Sequence, residues 1–309
     1  MPSSPTLIFM GIFFLESFTA MLQNVFMVAV LGRKWVRCHT LPAGDMIVAC
    51  LASSRFCLHG MALLNNLLVS INFSSIVYYF NIPWEFINIL TYWLTAWLAV
   101  FYCVKISSFS HAVFFWLKWR ISRSVPRLLR GSLIISGVTV IPVATGNLIM
   151  QMIASQSSHG NCTLADRTQT FYRYFLLPNV VLVWLIPFLL FLVSTLLLMF
   201  SLHRHLRRMR DHRPGPCDPS TRAHTVALKS LAAFFVFYTS YFLSLIIAVN
   251  KIATLQDQWH WAWEVVTYAG ICLHSSILVL SSPKLRKALK MMVWKAPEKR
   301  LFISSCQNQ

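Results

Sequence analysis

Five ionisable side chains lie inside long apolar stretches of this 309-residue sequence: Glu16, Arg55, Glu85, Glu264 and His274. An Asp, Lys or Arg at the centre of a membrane helix costs about 2.5–3.5 kcal/mol on insertion scales. Each such residue is therefore expected to have a partner or a function. The chemistry open to them is charge recognition and hydrogen bonding. A carboxylate binds amines or hydroxyl donors, and a guanidinium offers five donors in a fixed fork.

Glu264 is the candidate that an extracellular molecule could reach, because it lies near the expected outer end of the seventh apolar stretch. Trp84 and Asn88 are four residues apart, so they share one face of the third stretch. Tyr241 falls in the outer half of the sixth. Aromatic walls with a few polar groups are typical of a small-molecule site. The residues alone leave a second interpretation open, in which Trp84 is an interfacial anchor and Asn88 an interhelical hydrogen bond.

Arg55 is expected to have a structural or switching role, because it lies in the inner half of the second stretch. Candidate acceptors are Asn24 of the first stretch and the Ser275 region of the seventh, beside His274. Glu85 follows Trp84 directly and points about 100° away around the helix. It is expected to lie at the membrane interface, and Glu16 is expected to make a polar contact within the bundle.

The sequence shows no catalytic or metal-binding motif. His203, His205, His212 and His224 alternate with arginines and lack cysteine or carboxylate at metal-ligand spacing. Ser-His-Asp, Cys-His and glycine-rich phosphate patterns are missing as well. We therefore predict no enzyme, no metal and no cofactor.

These side chains must be positioned by membrane helices. Hydrophobic residues make up 57 % of the chain, which is typical of an integral membrane protein. Seven stretches approach or exceed the ~20 residues that a helix needs to cross a bilayer. We predict an all-α membrane protein, a seven-transmembrane helix bundle that forms one domain over residues 1–309. The predicted spans are 7–31, 45–71, 84–106, 128–152, 178–202, 228–249 and 261–281.

The distribution of charge predicts the orientation. All but four of the 27 Lys and Arg residues fall in one alternating set of loops and in the tail. The positive-inside rule then places the N-terminus outside and the C-terminal tail, 283–309, in the cytoplasm. Basic residues spread over short loops predict contact with anionic membrane lipids and not with nucleic acid. Within the tail, Leu285, Leu289 and Met292 recur at helical spacing, which predicts a short amphipathic helix on the inner leaflet.

Two glycosylation sequons fall in the expected outer loops, at Asn72 and Asn161. Asn161 is the stronger candidate because it lies midway in the longest outer loop. Asn72 adjoins the end of the second span, where the membrane can hide it from the transferase. Both positions agree with the predicted orientation.

Several long motifs, in order along nearly the whole chain, resemble those of the bitter taste receptors, the type 2 taste receptor family of G protein-coupled receptors. The motifs are LASSRFCL at 51–58, WLAVFYCVKI at 97–106, FWLK at 115–118, DPSTRAHT at 218–225, ALKSL at 227–231, YFLSL at 241–245, HS at 274–275 and PKL at 283–285. Two positions depart from the family pattern. Gln23 precedes Asn24 where the family usually has glycine, and Ser276 follows Ser275 where it often has an apolar residue.

The resemblance implies a function for the residues singled out above. It implies a multi-pass plasma-membrane receptor that binds small bitter agonists through Trp84, Asn88, Tyr241 and Glu264. Asn24 and Arg55 would hold the inner bundle. The heterotrimeric G protein would be of the gustducin type, contacted by the basic second and third inner loops. A pheromone-type seven-helix receptor is an alternative, and a small-molecule transporter is a further one, disfavoured because the chain lacks paired helix breaks near mid-membrane.

Overall fold

The computed structural model of the chain describes residues 4–70, 74–107, 112–156, 170, 174, 177–212, 219–251 and 257–294. These residues form a bundle of long helices. In chain order the helices are α1 Ser4–Cys38, α2 Ala43–Ser70, α3 Ser74–Ile106, α4 Ala112–Gln156, α5 Leu177–His212, α6 Pro219–Lys251, α7 Asp257–Ser281 and α8 Pro283–Trp294.

Helices α1 to α7 are long and apolar enough to cross a membrane, which confirms the predicted fold class. The eighth, α8, has twelve residues and matches the helix predicted at the start of the tail. Leu285 is buried in the inner core of the bundle. Neighbouring Arg286 and Lys287 are exposed, so α8 is docked by its apolar face.

All seven helices begin before the predicted spans, and the difference is largest for α3 and α4. α3 runs through Pro83 from Ser74, because membrane helices tolerate proline when neighbouring groups satisfy the freed carbonyl. α4 begins at Ala112, so much of the predicted second inner loop is helical. Lysine and arginine are good helix formers, and the chain therefore stays helical beyond its apolar part. On this extension Arg120 lies over the ring of Trp116, at 5.0 Å from its centroid.

The buried core has two parts. Towards the predicted outer side it is aromatic and centres on Tyr92, Trp184 and Tyr241. Towards the predicted inner side it is aliphatic, with Leu51 and Leu98 among its fully enclosed members. The stiff, amphipathic rings thus surround the candidate ligand site, since tyrosine and tryptophan combine apolar area with a hydrogen-bonding group.

At Gly270 the backbones of α6 and α7 approach each other closely. A Cβ added at this residue would lie 2.8 Å from the carbonyl oxygen of Phe237 in α6. No side chain fits in that space, so the two backbones touch. Close backbone contact through a small residue is a common way for membrane helices to pack.

Candidate functional site

The residues of α3 reach two neighbouring helices in the outer half of the bundle. The Tyr241 hydroxyl of α6 donates a hydrogen bond to Asn88 Oδ1, with 2.5 Å between the oxygens. Both side chains are completely buried. The Nδ2 group of Asn88 has no hydrogen-bond partner among the described residues. This buried NH2 group, which carries two N–H donors, is therefore left for a ligand to bind.

Trp84, one turn from Asn88, faces a different neighbour. Its Nε1 donates to the hydroxyl of Tyr268 in α7 at 3.0 Å. Tyr268 also packs edge-on against Phe13 of α1, with ring centroids 5.7 Å apart. Trp84 is only partly buried, so it has surface left for a further contact.

Glu264 lies with Trp84 on the α1–α2–α7 side of α3. It interacts with Asn66 of α2, which also lies 3.2 Å from Nε2 of His260. Glu16 of α1 is close enough to interact electrostatically with Glu264. Two of the four predicted ligand residues, Asn88 and Tyr241, are bonded to each other, whereas Trp84 is bonded to Tyr268, one turn from Glu264. Glu264 is also close enough to Tyr241 to interact electrostatically.

Glu85 was expected at the membrane interface, and the structure corrects that expectation. Its carboxylate is buried and accepts a hydrogen bond from Nε1 of Trp184 in α5, at 2.8 Å. The indole donor compensates part of the cost of removing a carboxylate from water. Interfacial tryptophans are common, so sequence pattern alone did not indicate that Trp184 turns inward to meet an acid.

The ring of Tyr92 connects the two sides of this aromatic region. It stacks on Tyr241, with centroids 5.4 Å apart and ring planes 19° from parallel. On its other side it stacks on Trp184 at 6.4 Å. Tyr92 therefore links the side chain of Tyr241, which bonds to Asn88, to the side chain of Trp184, which bonds to Glu85.

Arg55 forms the centre of a deeper network. Its Nη1 and Nη2 groups donate to Ser275 Oγ and Thr95 Oγ1, both at 3.4 Å. The Ser275 hydroxyl donates in turn to Asn24 Oδ1 at 3.4 Å. Asn24, Arg55 and Ser275, which the sequence singled out, are therefore linked across α1, α2 and α7. Thr95 of α3 is an addition.

His274, the fourth predicted switch residue, stands apart from that network. Its ring stacks on Phe234 of α6, with 3.5 Å between the centroids. Its Nδ1 has no hydrogen-bond partner among the described residues. The contact places His274 between α6 and α7, where it also lines the inner cavity described below.

The two positions that depart from the family pattern meet each other. Gln23 Nε2 of α1 donates to Ser276 Oγ of α7 at 2.9 Å. Gln23 precedes Asn24 in α1 and Ser276 follows Ser275 in α7, so this bond lies beside the Asn24–Ser275 contact. The pair of polar substitutions is therefore a second crosslink between the same helices.

A cavity of about 630 Å³ opens between the predicted cytoplasmic ends of the helices. Most of its wall is apolar, including Leu98, Leu198 and Leu231. Asp45 of α2 and Lys284 of α8 lie at its edge and form an ion pair at 2.9 Å. Partial burial works to lower the pKa of Lys284, but the hydrogen bond and attraction to Asp45 outweigh it and raise that pKa.

The sequons at Asn72 and Asn161 lie outside the described residues. Glycosylation of both therefore remains a prediction. The N-terminus-out orientation also remains a prediction, since it depends on the distribution of basic residues.

Comparison with known proteins gives a consistent result along the chain. The family model described as taste receptor protein (TAS2R) matches residues 1–297. A rat protein named taste receptor type 2 member 143 is 62 % identical over 292 residues, covering 94 % of this chain and 99 % of the relative. Taste receptor type 2 member 62 of Pan paniscus is also 62 % identical, covering 94 % and 93 %. Member 16 of Pan troglodytes is 46 % identical, covering 94 % and 98 %.

Proposed function

The chain belongs to the taste receptor type 2 family, and on that premise we propose that small bitter agonists bind it between the outer halves of α3, α6 and α7. Membership makes it a bitter taste receptor of the G protein-coupled class. It is a multi-pass protein of the plasma membrane and not an enzyme. The agonist site and the choice of G protein are the proposed parts.

The main support for the site is the pair formed by Tyr241 and Asn88. An agonist that reaches Asn88 must replace the Tyr241 hydroxyl as its partner or bind the unpaired Nδ2 group. Either event changes a contact between α3 and α6. A ligand that binds one arrangement of these helices more tightly shifts the receptor towards it.

Glu264 is proposed to select agonists that carry an amine or a hydroxyl donor. Trp84 lies on the same side of α3, and its indole can stack on apolar or cationic parts of a ligand. Glu16, close to Glu264, adds a second acidic group to this side. A cationic agonist would be attracted to both carboxylates.

Glu85 is a second candidate for cation recognition, about 100° around α3 from Trp84. It is buried and already bonded to Trp184. A ligand would have to displace the indole to reach it. We therefore assign the selective role to Glu264 and a positioning role to Glu85.

The inner cavity is the proposed site of G protein coupling, with a gustducin-type protein as the partner. It opens among α1, α2, α3, α5, α6, α7 and α8, so movement of any of these helices changes its shape. Basic residues near the ends of α3 and α5, such as Lys105 and Arg204, lie at the same end of the bundle as this cavity, which Ile106 and Leu202 line. Their positive field favours encounter with an acidic protein surface.

A calcium assay tests this function. Cells that express the receptor and a gustducin-containing chimeric G protein are screened with a panel of bitter compounds. We expect dose-dependent responses to a subset of the panel. Responses that persist without the chimeric G protein would contradict coupling through it.

The same assay tests the role of Glu264. Glu264→Gln keeps the size of the side chain and removes its charge, so cationic agonists should lose about ten-fold or more in potency while neutral agonists change little. Glu85→Gln is the matched control, at the carboxylate that is bonded to Trp184 of α5. An equal loss for neutral and cationic agonists at unchanged surface expression would remove Glu264 from this role.

A further inference from the structure

One corner of the inner cavity has more positive than negative charge. Lys34 at the end of α1 and Lys284 at the start of α8 both approach Asp45 at the start of α2. The Nζ atom of Lys284 donates to Asp45 Oδ2 at 2.9 Å, and Nζ of Lys34 lies 3.6 Å from the same oxygen. Two ammonium groups thus share one carboxylate, and the corner carries an excess of one positive charge.

One of the two ammonium groups of this corner also lacks hydrogen-bond acceptors. The Nζ atom of Lys34 is buried and has no hydrogen-bond partner within the described part of the chain. Its side chain is only 12 % exposed, compared with 47 % for Lys284. A partly buried ammonium is stabilised by a nearby anion and by acceptors for its three donors. A second carboxylate would balance both the charge and the donors.

The cavity beside this corner determines what could bring that carboxylate. Asp45 and Lys284 line its edge, whereas Leu98, Leu198 and Phe234 belong to its apolar wall. A molecule that fits must present apolar groups to the wall and a negative group to the edge. The C-terminal end of a polypeptide has this chemistry when its last residues are apolar, because the chain ends in a carboxylate.

We propose that Lys284 changes partners on coupling, from Asp45 to the terminal carboxylate of the G protein α subunit. Asp45 then pairs with Lys34 alone, so that two carboxylates balance two ammonium groups. In the uncoupled receptor Asp45 holds Lys284 at the edge of the cavity. This proposal rests on the proposed function, since it takes the inner cavity as the coupling site.

The test compares two peptides that differ in one group. Both carry the C-terminal sequence of the G protein α subunit, one as the free acid and the other as the C-terminal amide. Their binding to the full-length receptor in lipid nanodiscs is measured by fluorescence anisotropy. We expect the acid to bind about ten-fold more tightly, the typical effect of one charge-assisted hydrogen bond. The preference should decrease as salt is added.

Substitutions of Lys284 and Asp45 are expected to change the binding of the acid peptide in opposite directions. In Lys284→Gln the preference for the acid should fall to about one- to two-fold. Asp45→Asn removes the internal competitor, so the acid should bind more tightly than it binds the unmodified receptor. Lys34→Gln leaves Asp45 with Lys284 as its one close cation and should weaken the preference. Lys287→Gln is the matched control, because Lys287 is exposed on α8 and does not line the cavity.

The outcomes separate the two proposals. Equal binding of acid and amide to the unmodified receptor would overturn the role of Lys284 and leave coupling through the cavity in place. Binding of neither peptide would overturn both. Weaker binding of the acid to Asp45→Asn, at an unchanged melting temperature, would show that Asp45 is needed for the docking of α8 and does not compete with the peptide.

Discussion

Tyr241 and Asn88 form a hydrogen bond of 2.5 Å between α6 and α3, and water does not reach either side chain. The bond lies within an aromatic cluster in which Tyr92 stacks on Tyr241. Removing one partner of a buried hydrogen bond destabilises the fold, because the other polar group stays buried without a partner. The pair therefore controls both the packing of the two helices and access to the Asn88 amide.

Tyr241→Phe removes the donor of this bond. The Asn88 carbonyl is left buried and unpaired, so we expect the purified receptor to lose about 1–3 kcal/mol of stability. The melting temperature in detergent without agonist reports the loss. A double-mutant cycle with Asn88→Leu isolates the pair, because the second substitution removes the orphaned carbonyl. Strictly additive effects in that cycle would show that the two groups do not interact.

Trp184→Phe tests the buried carboxylate of Glu85. Loss of the indole N–H leaves the acid without the donor seen at 2.8 Å, and an unpaired buried charge is strongly destabilising. We expect low surface expression and a reduced melting temperature. Combining Trp184→Phe with Glu85→Leu should recover much of the loss, since neither polar group then remains. No recovery would mean that packing of the indole, and not the bond, stabilises this contact.

Gly270→Ala tests the close contact of α6 and α7. The added methyl group would lie 2.8 Å from the Phe237 carbonyl oxygen, so the helices must separate. Overpacking of this kind costs about 1–3 kcal/mol, measured as a lower melting temperature. Gly137→Ala in α4 is the control, because a Cβ there meets no atom within 4 Å. Equal stability of the two variants would contradict the backbone contact.

Asn161→Gln tests the predicted orientation. If the loop before α5 is outside the cell, the receptor carries a glycan at Asn161 that an endoglycosidase removes. We expect the enzyme to increase the electrophoretic mobility of the unmodified receptor and of Asn72→Gln, and to shift Asn161→Gln least, because Asn72 is the weaker sequon. A glycan lost only in Asn72→Gln would reverse the preference between the two sequons.

The sequence predicted the seven-helix fold because lipid requires long apolar helices, a pattern that needs no knowledge of neighbours. Ser275 as an acceptor for Arg55 was also predictable, since a buried guanidinium must find acceptors. Asn24, the other predicted acceptor, accepts from Ser275 instead. Which side chains of different helices bond to each other was not predictable from the sequence. Gln23 and Ser276 are two unrelated departures in the sequence, and only the packing of α1 against α7 shows that they bond to each other.

Glu85 also shows that the sequence does not reveal which helix lies beside a given side chain. Its position beside Trp84 indicated a direction around α3 but not which helix lies there. Helix α5 places Trp184 at that point, and the acid becomes an interior group. The different partners of Asn88 and Trp84, Tyr241 of α6 and Tyr268 of α7, have the same cause, because two helices meet α3 at these neighbouring positions.

The Arg55 network has an electrical consequence. A unit charge moved across the whole membrane changes energy by about 2.3 kcal/mol per 100 mV. Arg55 is buried within the membrane-spanning part of the bundle and is bonded to Ser275 and Thr95 on two other helices. Displacing it along the field requires all three helices to move together. The receptor should therefore give the same agonist response in polarised and depolarised cells.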